Sequence, residues 1–220
     1  DRHVLRASYD RAVSTSAANL LFGTRLTGGL SPDLQTITHT IELGYKGALT
    51  DRMRVGLDAY YEEQHNVVAP ASIDPLTYRS AGPIEYGGLD AALTTRVTPD
   101  LELSGTLSVV SDDLFAGGDV ALNAPAFKVQ GGVDYGLPAG FSVGATVRHV
   151  DGFPVRTGPY VGTVDGYTLL DVRAAYNVSS VPGLRLTLTG TNVLDTRHRE
   201  FVGAPVLGRM LVGRLTYELP

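Results

Sequence analysis

The sequence predicts an all-β fold: a transmembrane antiparallel β-barrel, with about ten of its strands in these 220 residues. Three observations carry this. Apolar and polar residues alternate with a period of two in segment after segment, which is the mark of a strand with two unlike faces. The connections between segments alternate short and long, as in barrels that cross an outer membrane. The charged residues fall in one register, and the other register stays apolar through the middle of each segment.

The elements follow in order. HVLRASYDRAV (3–13) places Arg6 and Asp10 on one face. A long connection at 14–37 comes next, in which AANLLFG (17–23) has room for a short helical turn. THTIELGYKGAL (38–49) sets Ile41, Leu43, Tyr45 and Leu49 against Glu42 and Lys46. The turn TDR (50–52) leads into MRVGLDAYYEEQ (53–64), with Val55, Leu57, Ala59 and Tyr61 opposite Arg54, Asp58 and Glu62. A long loop at 65–85 precedes YGGLDAALTTRV (86–97), and TPD (98–100) turns the chain into LELSGTLSVVS (101–111). A third long loop, 112–126, precedes FKVQGGVDYGL (127–137), and PAG (138–140) leads to FSVGATVRHV (141–150). Beyond a loop at 151–165 come GYTLLDVRAAYNV (166–178), the turn SSVPG (179–183) and LRLTLTGTNVLD (184–195). The last loop, 196–209, leads to MLVGRLTYEL (210–219). Most segments run near the ~9–11 residues that a tilted strand needs to cross a bilayer.

The clean apolar register chooses the solvent. A small soluble sandwich has to bury such a face, and this chain offers no helix to cover it. A membrane barrel turns it outward to lipid and turns the charges inward to water, because Arg or Lys facing lipid at the midplane costs about 2–4 kcal/mol. Tyr45, Tyr135, Phe141, Tyr176 and Tyr217 fall near the short-turn ends of their segments, where an aromatic ring belongs at a membrane interface. Composition agrees: 26 Gly and 11 Tyr suit strands and tight turns, and the absence of Cys excludes a disulfide framework and thiolate metal sites. A net charge of −5 without any basic block argues against a nucleic-acid partner. No apolar run approaches a transmembrane helix, and the first ten residues are polar and strand-like rather than a signal peptide, so the chain reads as processed or as a piece of something longer.

Several of these stretches resemble TonB-dependent outer-membrane receptors. They are SPDLQTITHTIELGYKGALTDRMRVGLDAYYEEQHNVV (31–68), EYGGLDAAL (85–93), APAFKVQGGVDYGLPAGFSV (124–143), GYTLLDVRAAYNV (166–178) and LTLTGTNVLDTRHREFVGAPVLGRMLVGRLTYEL (186–219). Asn192-Val193-Leu194-Asp195 is similar to the family's NLFD signature. The sequence departs from the pattern where Gln35 and Thr36 stand in place of a Pro-Glu pair, and where Leu219-Pro220 replaces a terminal aromatic residue. The resemblance implies that residues 1–220 are the C-terminal portion of a barrel of about 22 strands with a plugged lumen. It also implies a Gram-negative outer membrane and lipid around the wall. The implied partners are the protein's own plug domain, and TonB with the inner-membrane energising complex. The implied cargo is a scarce small-molecule, glycan or peptide nutrient such as a siderophore or cobalamin. No cofactor and no covalent chemistry are implied.

Candidate site residues follow from loop or lumen position. Arg156 and Tyr160 in the loop 151–165, with Arg197, Arg199 and Phe201 in the loop 196–209, are the candidates for substrate binding; clustered Arg attracts anions. Glu42, Lys46, Asp58, Asp171 and Arg173 are expected to line the lumen, with Glu42–Lys46 and Asp171–Arg173 as paired charges that either contact a plug or solvate a wet interior. Phe22, Phe115 and Phe153 are further loop aromatics that either grip a ligand or pack loop on loop. His149 and Asp151, with Asp112–Asp113 in an earlier loop, outline the alternative of a self-contained ten-stranded barrel acting as a rim hydrolase or simple pore. His39, His65 and His198 are isolated, which gives no metal site.

Overall fold

The computed structural model describes residues 3–15, 35–65, 68–73, 76–80, 83–111, 122–157 and 160–219. Ten strands form one sheet: β1 (His3–Thr15), β2 (Gln35–Ala48), β3 (Met53–His65), β6 (Ile84–Arg96), β7 (Leu101–Val110), β8 (Phe127–Gly136), β9 (Phe141–Val150), β12 (Tyr167–Asn177), β13 (Leu184–Thr191) and β14 (Met210–Tyr217). Each pairs antiparallel with the sheet strand before it in sequence, so the sheet is an up-and-down meander with β1 and β14 as its edges. The remaining strands are two separate hairpins inside long connections, β4 (Val68–Ile73) with β5 (Leu76–Ser80), and β10 (Phe153–Thr157) with β11 (Tyr160–Val164). The sequence reading treats both connections as plain loops. The expected helical turn at 17–23, Phe22, Phe115 and Asp112–Asp113 lie outside the described residues.

The short-turn end is built by local chemistry. The Thr98 hydroxyl accepts the N–H groups of Asp100 and Leu101 at 3.3 and 3.0 Å. Pro138–Gly140 forms one turn of 3-10 helix, with Ala139 and Gly140 at φ +59° and +83°. At Gly183, φ is +85° and the carbonyl oxygen of Glu218 occupies the space a Cβ would need. Only glycine fits both constraints.

Pairing register sorts the side chains. Leu5, Tyr45 and Leu57 are cross-strand neighbours, as are Ala7, Leu43, Ala59 and Leu89. This register holds most of the sheet's exposed apolar side chains, among them Leu43 at 59%, Leu188 at 57% and Leu215 at 67% exposure; Val4, Met210 and Val212 on the two edge strands are exposed on the other register. Facing water, each such side chain forfeits the roughly 1.5–3 kcal/mol that burial supplies. Hydrocarbon around the wall restores it. The buried apolar side chains among the described residues are Ile84, Val150, Phe153, Val155, Val164, Leu169 and Ala175, on the inner face and under the loops.

The apolar band has a definite upper edge. On β2 it runs from just beyond the strand at Leu49 to Ile41 and then meets His39; on neighbouring strands it meets Arg11, Glu63 and Glu85, and on β9 His149. Eight residue steps span roughly 27 Å along a strand. At a tilt of about 40° that is roughly 21 Å along the membrane normal, close to the ~25 Å band of outer-membrane barrels. Aromatics mark both borders. Phe141 stacks on Tyr176 at 4.3 Å near the short turns. Near the loop end, Tyr9 hydrogen-bonds His39 Nδ1 at 2.7 Å, and the Tyr61 hydroxyl donates to Glu85 at 2.8 Å. The sequence reading identifies only the first of these two borders.

The opposite register lines a hollow. Its volume is about 470 Å³, its floor is Gly56, Ala92, Thr106 and Ser108, and its walls include Lys46, Asp58, Asp90, Lys128 and Arg148.

Candidate ligand site at the loop end

On β12, Tyr167, Leu169, Asp171, Arg173 and Ala175 belong to the inner register, and Thr168, Leu170, Val172, Ala174 and Tyr176 to the outer. Two contacts fold the segment that follows β13 over the inner face. Asp171 Oδ1 accepts the N–H of Asn192 at 2.7 Å, and the Tyr167 ring lies 4.4 Å from that of His198. The expected strand 184–195 therefore stops at Thr191. Asn192 and Asp195 adopt φ +52° and +57°, a left-handed conformation that Asn and Asp tolerate.

Asn192 is buried and its amide is fully engaged locally. Its Oδ1 accepts the Thr196 N–H at 3.0 Å, and its Nδ2 donates to the Thr196 carbonyl at 2.8 Å. Asp195 Oδ1 accepts the Arg209 N–H at 2.9 Å, and His198 and Leu207 form a short antiparallel bridge. The NLFD-like turn is thus a staple that holds residues 196–209 in a compact loop.

The hairpin β10–β11 packs on this loop. Phe153, Val155 and Val164 form a buried cluster against Phe201 and Val202. Tyr160 meets Phe201 edge to face at 5.6 Å and lies over Gly203, whose φ is +84°. Between hairpin, loop and wall lies a cavity of about 410 Å³ lined by Thr163, Asp165, Tyr167, Arg197, Arg199 and Phe201, among others. Neither Arg197 nor Arg199 has an ion-pair partner among the described residues. The arrangement is a cavity of mixed polar and apolar lining with two guanidiniums that have no ion-pair partner among the described residues, suited to an anionic or hydroxyl-rich group with an apolar part.

The candidates thus separate. Arg197, Arg199 and Phe201 line the cavity, and Tyr160 buttresses it through Phe201. Arg156 does not line it; its backbone N–H donates to Asn123 Oδ1 at 2.7 Å. Phe153 is part of the loop core rather than a grip.

On the inner wall the charges pair across strands, not along them as expected. Glu42 pairs with Arg6, which also stands 3.6 Å from Asp58, and Arg173 Nη2 donates to Asp134 at 2.6 Å. The reason is distance. Glu42 and Lys46, four apart on a strand, are about 13 Å apart, whereas Arg6 and Glu42 are diagonal neighbours on adjacent strands, roughly 7–8 Å apart and within reach of a long side chain. Both longer reaches, Arg6 to Asp58 and Arg173 to Asp134, cross an intervening strand at a glycine. Gly44 separates the first pair and Gly144 the second, and a Cβ at either would meet the carboxylate within 2.5 Å. Lys46 borders the hollow with no ion pair among the described residues, and Asp171 is committed to the loop. One inner cluster escaped the sequence reading: Tyr60 and Tyr86 meet edge to face at 6.5 Å, and the Tyr86 hydroxyl bonds Glu62. Its signal was the inner-register run Tyr60, Glu62, Gln64.

His149 Nε2 and Asp151 Oδ1 do come together, at 2.9 Å. The pair lies on the outer register, and His149 Nδ1 is held by Thr168 Oγ1 at 2.8 Å. It therefore points away from the cavity. No group of three or more His, Asp or Glu suited to a metal ion occurs among the described residues.

The profile of the family described as TonB dependent receptor-like, β-barrel, matches residues 1–193. The chain belongs to the TonB-dependent receptor β-barrel family. Among solved structures, the copper transporter OprC shares 13% identity at a TM-score of 0.78, with 99% of this chain and 37% of that one covered. The siderophore receptor PiuA from Acinetobacter baumannii shares 18% identity at 0.74, covering 98% and 34%. A mutant of the ferric enterobactin receptor PfeA from Pseudomonas aeruginosa shares 18% at 0.71, covering 99% and 38%. The chain thus spans little more than a third of the length of these receptors. No curated protein sequence matches it.

Proposed function

We propose that this receptor segment supplies wall and outer loops to an active nutrient importer of the Gram-negative outer membrane. The match to the receptor barrel family over residues 1–193 carries the reading. In it, the ten strands are the C-terminal part of a larger barrel, lipid surrounds the outer register, and a plug domain fills the inner side. A scarce small-molecule, glycan or peptide nutrient is captured at the loop end and passed inward on energy relayed by TonB. Its solved neighbours include a copper transporter and a siderophore receptor, which makes metals and their chelates reasonable first ligands to try. Arg197 and Arg199 hold an anionic or hydroxyl-rich part of the ligand, with Phe201 as an apolar wall. The rim-hydrolase alternative is not favoured, because its His–Asp pair faces the lipid side.

The test is uptake by intact cells carrying the whole receptor, with and without TonB, across a panel of chelates, glycans and peptides. A ligand whose uptake needs both the receptor and TonB supports the reading. Arg197→Ala with Arg199→Ala is then expected to weaken its binding roughly tenfold or more, the loss of one to two charge-assisted hydrogen bonds. Equal uptake of every ligand without TonB contradicts it and points to a passive pore.

A further inference from the structure

The inner wall carries two hollows that join. The one of about 470 Å³ and a second of about 440 Å³ share Lys46, Gly56 and Ala92. Together they follow one cross-strand row, Arg148, Gln130, Thr106, Ala92, Gly56 and Lys46, from β9 to β2. The row descends. Arg148 is two residues from the loop end of β9, and Lys46 is two residues from the short-turn end of β2. A row perpendicular to tilted strands crosses the membrane obliquely. Its upper end abuts the loop-end cavity, because Val150 of the hollow is the cross-strand partner of Tyr167 of the cavity.

Two properties of this track point to a ligand. Its floor is low where packing does not demand it: a Cβ at Gly56 would meet no described atom closer than 3.9 Å, unlike one at Gly44 or Gly144. Its charge also runs against that of the chain. Lys46, Arg54, Lys128 and Arg148 line it against Asp58 and Asp90, in a chain of net charge −5. None of the four cations has an ion-pair partner among the described residues, whereas Asp58 stands 3.6 Å from Arg6. Arg148 Nε is cut off from solvent and has no hydrogen-bond partner among them. Unpaired cations along a groove concentrate anions there.

We propose that the track is a transit lane for the anionic part of the cargo, a carboxylate, phosphate or ionised phenol. The group passes from Arg197 and Arg199 to Arg148 and Lys128, then over Thr106, Ala92 and Gly56 to Lys46 and Arg54 near the short turns. Successive cations let it exchange one contact for the next, so that no site traps it. The lane rests on the importer reading and adds to it a route and a charge preference. It stays reachable by small ions beside the plug in the resting receptor.

Charge-selective thiol labelling of the intact receptor in liposomes tests it, with Thr106→Cys or Gly56→Cys as the sole cysteine. The rate with a sulfonate-bearing methanethiosulfonate is divided by the rate with a trimethylammonium-bearing one, and the quotient is normalised to a free neutral thiol. Folding and exposure affect both reagents alike, so the quotient reports local charge. At low ionic strength it is expected to favour the sulfonate roughly tenfold at both sites, the effect of two nearby cations, and to fall as salt rises. Lys128→Gln with Arg148→Gln is expected to lower it several-fold at Thr106→Cys and less at Gly56→Cys, where Lys46 and Arg54 remain. A quotient equal to that of the free thiol overturns the lane, as does a preference at Thr106→Cys that survives loss of both upper cations. Failure of both reagents to react also overturns it and assigns the hollows to the plug. Uptake without TonB overturns the importer reading and leaves this quotient unchanged, so the two failures are told apart.

Discussion

Leu43 and Glu42 are neighbours in the chain and opposites in setting. Leu43 shares its face with Ala7, Ala59 and Leu89 and stands exposed on the outer side. Glu42 turns to the inner side and pairs with Arg6. The same alternation repeats along every strand of the sheet, so one sheet obeys two rules. The outer face excludes charge across a band that ends at Arg11, His39, Glu63, Glu85 and His149. The inner face accepts charge and pairs part of it across strands, as Arg6 with Glu42 and Arg173 with Asp134. The difference teaches that apolar burial is the wrong measure of stability for this wall. The wall is held by ladder hydrogen bonds and by a solvent that is apolar on one side only.

The sharpest way to break the comparison is to exchange the faces. Leu43→Arg puts a cation at mid-band and is expected to cost about 2–4 kcal/mol of stability in liposomes. Thr106→Arg, on the inner floor, is expected to cost under about 1 kcal/mol. Urea unfolding followed by gel mobility reads both, and equal losses would erase the distinction between the faces.

A smaller effect tests the rim that both faces share. Gly183→Val requires a side chain at φ +85° where the Glu218 carbonyl already lies, and about 1–3 kcal/mol of destabilisation is expected by the same unfolding assay. A neutral result would mean that the turn can re-form around the side chain.

The cap formed by the β10–β11 hairpin and the 196–209 loop sharpens the comparison, because there the chain builds an ordinary soluble-style core. Phe201→Ala removes the edge-to-face contact with Tyr160 and part of the cluster around Val155. Proteolysis at the β10–β11 hairpin is expected to quicken several-fold while unfolding of the wall stays unchanged, since the aromatic contact itself adds ~0.5–1.5 kcal/mol locally. Loss of the whole barrel would show that the cap is part of the wall's stability.

The smallest effect belongs to the inner ion pairs. Asp134 and Arg173 are both about half exposed. A double-mutant cycle with Asp134→Asn and Arg173→Gln is expected to give under about 1 kcal/mol of coupling. Gly144→Leu, which fills the gap between them, is expected to erase even that. A coupling well above this would assign the pair a structural role that its exposure argues against.

These particulars show what the sequence revealed and why it stopped. β9 lies where alternation places it, at 141–150, because a period of two on a half-solvated sheet is a direct consequence of the pleat. The strand at 184–191 was read four residues too long, because Asn192-Val193-Leu194-Asp195 continues the alternation while the backbone of Asn192 and Asp195 has already turned left-handed. The hairpin β10–β11 was missed because its strands are short and its apolar residues pack on Phe201 and Val202, some forty residues later in the chain. Such a contact has no local signature. Glu42–Lys46 and Asp171–Arg173 read as pairs along a strand because sequence displays only that neighbourhood; the partners in the structure, Arg6 with Glu42 and Asp134 with Arg173, follow from the register. Of the candidate ligand residues, Arg197, Arg199 and Phe201 share a cavity and Arg156 does not, which loop membership alone does not distinguish.

The most direct measurement of the central claim uses the absence of cysteine from these 220 residues, with any cysteine elsewhere in the receptor replaced by serine. Single cysteines at 41 to 46 on β2 and 103 to 108 on β7 can be spin-labelled one by one in the intact receptor in liposomes. Accessibility to oxygen, which partitions into lipid, and to a water-soluble nickel chelate is then read at each site. The account predicts a period of two, with positions 41, 43, 45, 103, 105 and 107 favouring oxygen and their neighbours favouring nickel or protected from both. Nickel accessibility at 43 and 107 equal to that at 42 and 106 would contradict it, and would return these strands to a soluble fold whose apolar face meets protein instead of lipid.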